Sequence, residues 1–236
     1  MDEIVKLYTS LGGRFISSPA EITRRLRGVK AFVFDWDGVF NGGYKSSSGG
    51  SNFSEVDSMG VNLLRFSYFR VHGELPLTLA ISGETNKTAF YYSERENFNY
   101  SFYKVAHKIH ALNFLCEQEK IDPSQVCYFF DDVLDIPIAE KCGLRVQINQ
   151  QSNPLFADYC TRHKLVDYLT ASHGGKFALR EATELLIALG GEYDHVINAR
   201  KNNSEPYRQY IAARKMVRTA YYTLAEEGIR QQQPDI

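Results

Sequence analysis

The sequence predicts an α/β domain built on a mainly parallel sheet flanked by helices. Two observations predict it: apolar runs of strand length recur along the chain, and the stretches between them carry helical periodicity. Ala31–Phe34, Leu75–Ile81 and Val126–Phe130 are almost wholly apolar, as strands covered on both faces must be. A third observation gives the domain a direction. Each run ends in polar residues, namely Asp35-Trp36-Asp37-Gly38, Ser82-Gly83 and Asp131-Asp132-Val133-Leu134-Asp135. Ligands of open α/β sheets bind beyond the carboxyl ends of the strands, so these residues are the candidates for function.

Taken in order, Ser18-Pro19-Ala20-Glu21 has the form of a capping box with proline at the first helical position, and predicts a short helix to about Arg27. The strand at 31–35 follows. Tyr44 to Ser54 is rich in Ser and Gly and reads either as a β-hairpin flap, at about 40–56, or as a disordered loop. Helices are expected at 59–69 and 85–95, with a short strand at 99–103 between the second of these and Lys108. Lys108 opens an amphipathic stretch with Ile109, Leu112, Leu115 and Cys116 on one face. Later strands are expected at 144–148 and near 158–160. A helix from Lys176 to Leu189 stops at Gly190-Gly191. Beyond Glu192, residues 198–203 read as a linker and 206–227 as one amphipathic helix. The division is a single domain over 1–197 and a C-terminal helical extension over 198–236.

Composition excludes more than it identifies. The chain has 236 residues, is 44% hydrophobic, and balances 27 Lys and Arg against 28 Asp and Glu. That size suits one compact α/β domain with extensions, and the charge gives no reason to expect nucleic acid or an anionic membrane as partner. No apolar stretch approaches the ~20 residues that span a bilayer, and the N-terminus lacks a basic region before an apolar run. The cytoplasm is the default compartment. The four cysteines lack Cys-x-x-Cys spacing and lie in apolar stretches, which fits buried reduced thiols rather than zinc.

Each strand-end cluster has an ordinary counterpart when taken alone. Asp-Gly and Ser-Gly are turn dipeptides, a lysine at a helix start usually faces solvent, and acids are welcome at a helix N-terminus. Together they carry more. Three acids within five residues repel one another unless a cation joins them, and hard oxygen ligands are what Mg²⁺ selects.

In order, these features resemble the four motifs of the haloacid dehalogenase (HAD) superfamily. From about Val29 to Leu189 the resemblance narrows to the phosphatases of 3-deoxy-D-manno-octulosonate 8-phosphate (KDO 8-phosphate) and of nonulosonate 9-phosphates. It is carried by Asp35-Trp-Asp-Gly-Val-Phe40, Asp57 to Gly60, Ser82-Gly83, Lys108, Asp131-Asp-Val-Leu-Asp-Ile-Pro137, Glu140-Lys-Cys-Gly143 and Gly174-Gly-Lys-Phe-Ala-Leu-Arg-Glu181. The resemblance implies a Rossmann-like HAD core without a large cap, and a Mg²⁺-dependent hydrolase of a small phosphorylated acidic sugar. It makes Asp35 the nucleophile, Asp37 the acid and base, and Ser82 and Lys108 the groups that hold and neutralise the phosphoryl group. Asp35, Asp37, Asp131 and Asp135 become the metal set, and Gly38, Gly83, Lys176 and Arg180 line the substrate. It further implies a homotetramer in which a neighbour's Lys176 and Arg180 help to close each site. Glu84, Phe130 and Phe177 depart from the family's pattern. They keep open a catalytically weak or repurposed oligomeric binding protein, and a phosphotransferase on the same core is a separate alternative.

Overall fold

The structure is a computed structural model that describes residues 1–45 and 51–234. A nine-stranded sheet forms its centre, in the order β1-β7-β6-β5-β2-β3-β4-β8-β9. The seven inner strands run parallel: β2 (Ala31–Asp35), β3 (Leu77–Ile81), β4 (Tyr100–Tyr103), β5 (Val126–Phe130), β6 (Leu144–Asn149), β7 (Tyr168–His173) and β8 (Ala220–Ala225). Short antiparallel strands, β1 (Arg14–Phe15) and β9 (Gly228–Gln231), border it. The expected α/β class with a mainly parallel sheet is what the chain adopts.

Strand alternation sends side chains to two separate cores. Phe32 and Phe34 of β2, with Cys127 and Phe129 of β5, join the helices α1 (Asp2–Leu11), α2 (Pro19–Leu26), α3 (Glu55–His72), α4 (Lys87–Arg95) and α8 (Ala178–Leu189). On the other face Ala31 and Val33, with Val126, Tyr128 and Phe130, pack against α5 (Ile109–Glu119), α6 (Ile136–Ala139) and α7 (Pro154–Arg162). The central strands are thus buried on both sides, which is why they read as unbroken apolar runs. Phe130 is one of those core residues.

Chain order places the crevice. After β2 the chain builds β3 and β4 on one side, then returns to lay β5, β6 and β7 on the other. The carboxyl ends of β2 and β5 meet at this reversal, where connections leave in opposite directions and a ligand can enter. Among the described residues no separate cap domain stands over that edge. The centre of the expected hairpin flap, 46–50, lies outside the described residues, and its flanks at 44–45 and 51–54 are not strands.

Several elements differ from the sequence reading. Residues 158–160 belong to helix α7, whose start at Pro154 fits proline at a first helical turn, and the strand comes later at 168–173. The stretch 198–203 is not a linker, because α9 runs over Tyr193–Lys201. Most of all, 206–227 is not one helix. Helix α10 (Glu205–Met216) ends where Val217 turns extended, and Tyr221 and Thr223 then alternate buried with half-buried neighbours as β8. The spacing of Tyr210, Val217, Tyr221 and Leu224 mimics a helical stripe, but β4 offers an open parallel edge, and the sheet wins. Arg214 ties α10 back to Glu96 at 2.9 Å, and Tyr210 donates to the Asn62 carbonyl at 3.2 Å.

Helices α3 and α8 meet closely at Gly60, where a Cβ would stand 2.4 Å from the Thr183 hydroxyl. One turn earlier, Asp57 of α3 accepts a hydrogen bond from the Arg180 amide at 2.9 Å and so caps α8 from outside. Its second oxygen is buried without a partner, and burial pushes its pKa up to about 6. A folded-state value above the unfolded one means that native protein holds this proton longer, so stability falls as pH rises through the window between about 4 and 6. Asp57→Asn keeps the acceptor and removes the charge. The stability difference between variant and wild type, from urea unfolding, should shift toward the variant by about 1 kcal/mol between about pH 5 and pH 8. A difference independent of pH would show that Asp57 titrates as an ordinary carboxylate.

Candidate active site

The candidate site lies at the β2/β5 reversal, in a cavity of about 520 Å³. Asp35 is the last residue of β2, and Asp131 and Asp132 follow the end of β5 directly. Lys108 stands just before α5, and its ammonium lies 2.6 Å from the Asp35 Oδ1 and 2.6 Å from the Asp135 Oδ1. All three side chains are buried.

Asp37 reaches the cavity by a turn rather than by strand alternation. Phe40 donates to the Trp36 carbonyl at 3.1 Å, so the chain coils immediately after β2, with Gly38 in the left-handed region at φ 84°. The indole of Trp36 is buried against Phe40 and Tyr92 and anchors the turn. Asn41 then fastens it: its carboxamide accepts from the amides of Gly38 (3.3 Å) and Gly43 (2.8 Å) and donates to the Trp36 carbonyl. Gly38 has no freedom to change. A Cβ there would lie 1.9 Å from the Asp131 carboxylate.

Asp37 itself is held from two sides. Ser51 donates to one carboxylate oxygen at 2.7 Å, and the Lys45 ammonium lies 3.2 Å from the other. Ser51 is in turn fixed by donors from the Trp36 indole and the Asn86 carboxamide.

Asp135 holds the site together from beneath. One oxygen accepts from Lys108 and from the Tyr128 hydroxyl at 2.5 Å; the other accepts from the amides of Asp131 and Asp132. Both of its oxygens are therefore engaged. Asp131 differs: Gln150 donates to its Oδ2 at 3.1 Å, but its buried Oδ1 has no partner.

The electrostatics follow from three carboxylates sharing one ammonium. Burial, then Asp135, push Asp35 well above the usual carboxylate range even though Lys108 pulls it down. Burial and the same neighbour raise Asp131 to about 7. Burial would lower Lys108, but Asp35 and Asp135 outweigh it and hold the ammonium charged. The site carries more negative charge than its own cation balances.

Oxygens of Asp35, Asp131 and Asp135 all lie within 4.8 Å of one another. That cluster and the orphaned Asp131 Oδ1 fit a hard divalent cation such as Mg²⁺. With both Asp135 oxygens engaged, Asp35 and Asp131 are the carboxylates with capacity to hold it.

The remaining sequence candidates divide. Gly38 and Gly83 line the cavity; Ser82 is buried beside it at the end of β3, its hydroxyl accepting from the Glu84 amide at 3.2 Å. Lys176 and Arg180 do not line it within one chain. The Arg180 guanidinium is bound to Glu184 on its own helix. Gly174-Gly175 are packed against the turn after β2, where a Cβ on Gly174 would stand 1.9 Å from the Gly38 carbonyl. Lys45, Asn41, Ser51, Tyr128 and Gln150 were not singled out from the sequence. Gln150 could have been found, since it directly follows β6 at the same carboxyl edge.

No family model matches the chain. It is 26% identical over 179 residues to the 3-deoxy-D-manno-octulosonate 8-phosphate phosphatase of Escherichia coli strain K12, covering 74% of this chain and 88% of that one. Among solved structures, a putative HAD superfamily (subfamily III A) hydrolase from Legionella pneumophila superposes with a TM-score of 0.63 at 21% identity, over 78% of this chain and 95% of that one. The 3-deoxy-D-manno-octulosonate 8-phosphate phosphatase of Moraxella catarrhalis, in complex with magnesium, phosphate and KDO, gives 0.62 at 23% identity, over 76% and 97%. Fold, strand-end acids and matched sequence agree: the chain has the fold of these hydrolases and is similar in sequence to the KDO 8-phosphate phosphatases.

Proposed function

We propose that the protein is a phosphoric monoester hydrolase acting on a small sugar phosphate through an aspartyl-phosphate. The observation that carries this reading is Asp35, buried at the strand end with Lys108 on one side and Asp131 on the other. Burial and the neighbouring acids raise this carboxylate, and it sits where a dianionic phosphoryl group needs a nucleophile flanked by positive charge.

An Asp35 oxygen attacks phosphorus in line, forming the P–O bond of the acyl phosphate as the bond to the sugar oxygen breaks. Asp37, held by Ser51 and Lys45, delivers a proton to the departing alkoxide. It then takes one from the water that cleaves the acyl phosphate and restores Asp35. Lys108 neutralises nucleophile and phosphoryl oxygens, while Asp135 and Tyr128 fix its position. Ser82 and the amides around Gly38 hold the equatorial oxygens. Bound Mg²⁺, held by Asp35 and Asp131, supplies charge that screens the anionic carboxylate from the anionic phosphate.

The Moraxella protein's complex and the relatives' names make KDO 8-phosphate, and nonulosonate 9-phosphates beside it, the reference substrates. The assembly expected from resemblance is a homotetramer in the cytoplasm. Within it Lys176 is the cation available to a neighbour, since Arg180 is committed to Glu184. In this reading residues 1–197 carry the hydrolase and 198–236 extend its sheet.

Asp35→Asn keeps shape and removes the attacking charge. Phosphate release should fall at least about a thousandfold with an unchanged circular dichroism spectrum, and a variant retaining a tenth of wild-type turnover would exclude Asp35 as nucleophile.

Chelation should abolish turnover and Mg²⁺ restore it. Asp131, raised to about 7 without metal, must lose its proton to ligate, so Mg²⁺ affinity measured by calorimetry should weaken as pH falls below about 7, approaching tenfold per pH unit. Full activity after rigorous chelation, or affinity flat from about pH 5 to 8, would defeat this assignment.

A further inference from the structure

Resting on the phosphatase reading, we infer that the outer wall of this cavity selects sugar phosphates whose leaving group carries no carboxylate, with Glu84 as the specificity-determining residue. The cavity is lined by five carboxylates, Asp35, Asp37, Glu84, Asp131 and Asp132, and by two ammonium groups, Lys45 and Lys108. Each cation is already matched. Lys108 lies between Asp35 and Asp135, and Lys45 is paired with Asp37. A divalent ion between Asp35 and Asp131 would be balanced by those two side chains.

Glu84 and Asp132 differ from the rest. They lie on the exposed rim, beyond the reacting centre, and their carboxylates make no ion pair among the described residues. The rest of the outer wall is Ser152, Asn153, Ala106 and Leu134, uncharged groups of which the first two can hydrogen-bond to hydroxyls. A phosphate anchored at Asp35 therefore extends its alcohol portion past two unbalanced carboxylates. A second negative charge on that portion meets repulsion and finds no unmatched cation among the described residues that line the cavity in its own chain, whereas a neutral polyol meets hydrogen-bonding groups. This separates the protein from relatives named for an acidic sugar.

The test is a matched pair on the full-length protein in its native assembly with Mg²⁺: a hexose 6-phosphate and the corresponding 6-phosphohexonate, which differ in one carboxylate, with KDO 8-phosphate alongside. Binding is read by calorimetry and turnover by phosphate release. The neutral ester should bind at least about tenfold more tightly than the acid, and higher salt should narrow the difference. Glu84→Gln should shrink the ratio of neutral to acid affinity at least about threefold, and Glu84→Arg should invert it. Equal or tighter binding of the acids overturns the inference, including where a neighbouring subunit provides a cation, as does a ratio indifferent to both Glu84 variants. Preference for the neutral ester without release of phosphate from any compound would refute the phosphatase reading and leave the charge selection standing. Absence of binding by all three overturns both.

Discussion

Everything at the candidate site depends on one buried ammonium, Lys108, held 2.6 Å from each of two carboxylates, one at the end of a strand and one in the turn beyond its neighbour. Asp35 ends β2 and Asp135 follows β5, so the contact spans the reversal of the sheet. Leaving any of the three unpaired in that interior would cost several kcal/mol, which fixes the ends of both strands relative to each other and to the start of α5. Rigidity of the reacting groups is thus a by-product of charge burial. Tyr128 and two backbone amides complete the coordination of Asp135 and leave it no freedom to turn.

The same arrangement leaves an electrostatic surplus directed into the cavity. Lys108 balances one of three acids, and the rest of the imbalance appears as the raised values of Asp35 and Asp131 and the orphaned Asp131 oxygen. A site designed only for stability would have removed one carboxylate or added a second cation. Holding the surplus makes the metal-free state costly, and that cost is returned when a divalent ion binds.

How much of this could be read in the sequence depended on which rule each residue obeyed. Asp35, Asp131 and Asp135 were legible because buried parallel strands read as apolar runs and their carboxyl ends are where chemistry collects. Asp37 is legible by its place beyond β2, but not its approach: the chain coils after the strand rather than continuing extended, and the side chain arrives by the turn that Asn41 fastens. Lys45, Ser51 and Gln150 support the site through contacts distant in sequence, and no local pattern marks them. The C-terminal strand β8 was mistaken for a helix because aromatic residues at 3.6-like spacing satisfy either period. The free edge of β4 decided between them, and that edge is a tertiary fact.

The tight packing behind the turn after β2 constrains what can vary. Gly174 and Gly175 press on Gly38, Asn41 and Gly42, and Gly38 presses on Asp131, so the glycines transmit position from β7 to the reacting carboxylates without a side chain between them. A Cβ at Gly174 would displace the Gly38 carbonyl and one at Gly38 the buried Asp131 carboxylate, and misplacement by an ångström at a reacting group is enough to lose much of its advantage. Glu84 lies outside this close-packed zone, on the exposed rim, where a substitution meets only solvent and substrate. The chemistry and its selectivity are therefore held by physically separate parts of the cavity: the inner acids by backbone contact and burial, the outer charge by nothing but its own loop. A fold arranged in this way can change the compounds it accepts while the geometry of phosphoryl transfer stays fixed.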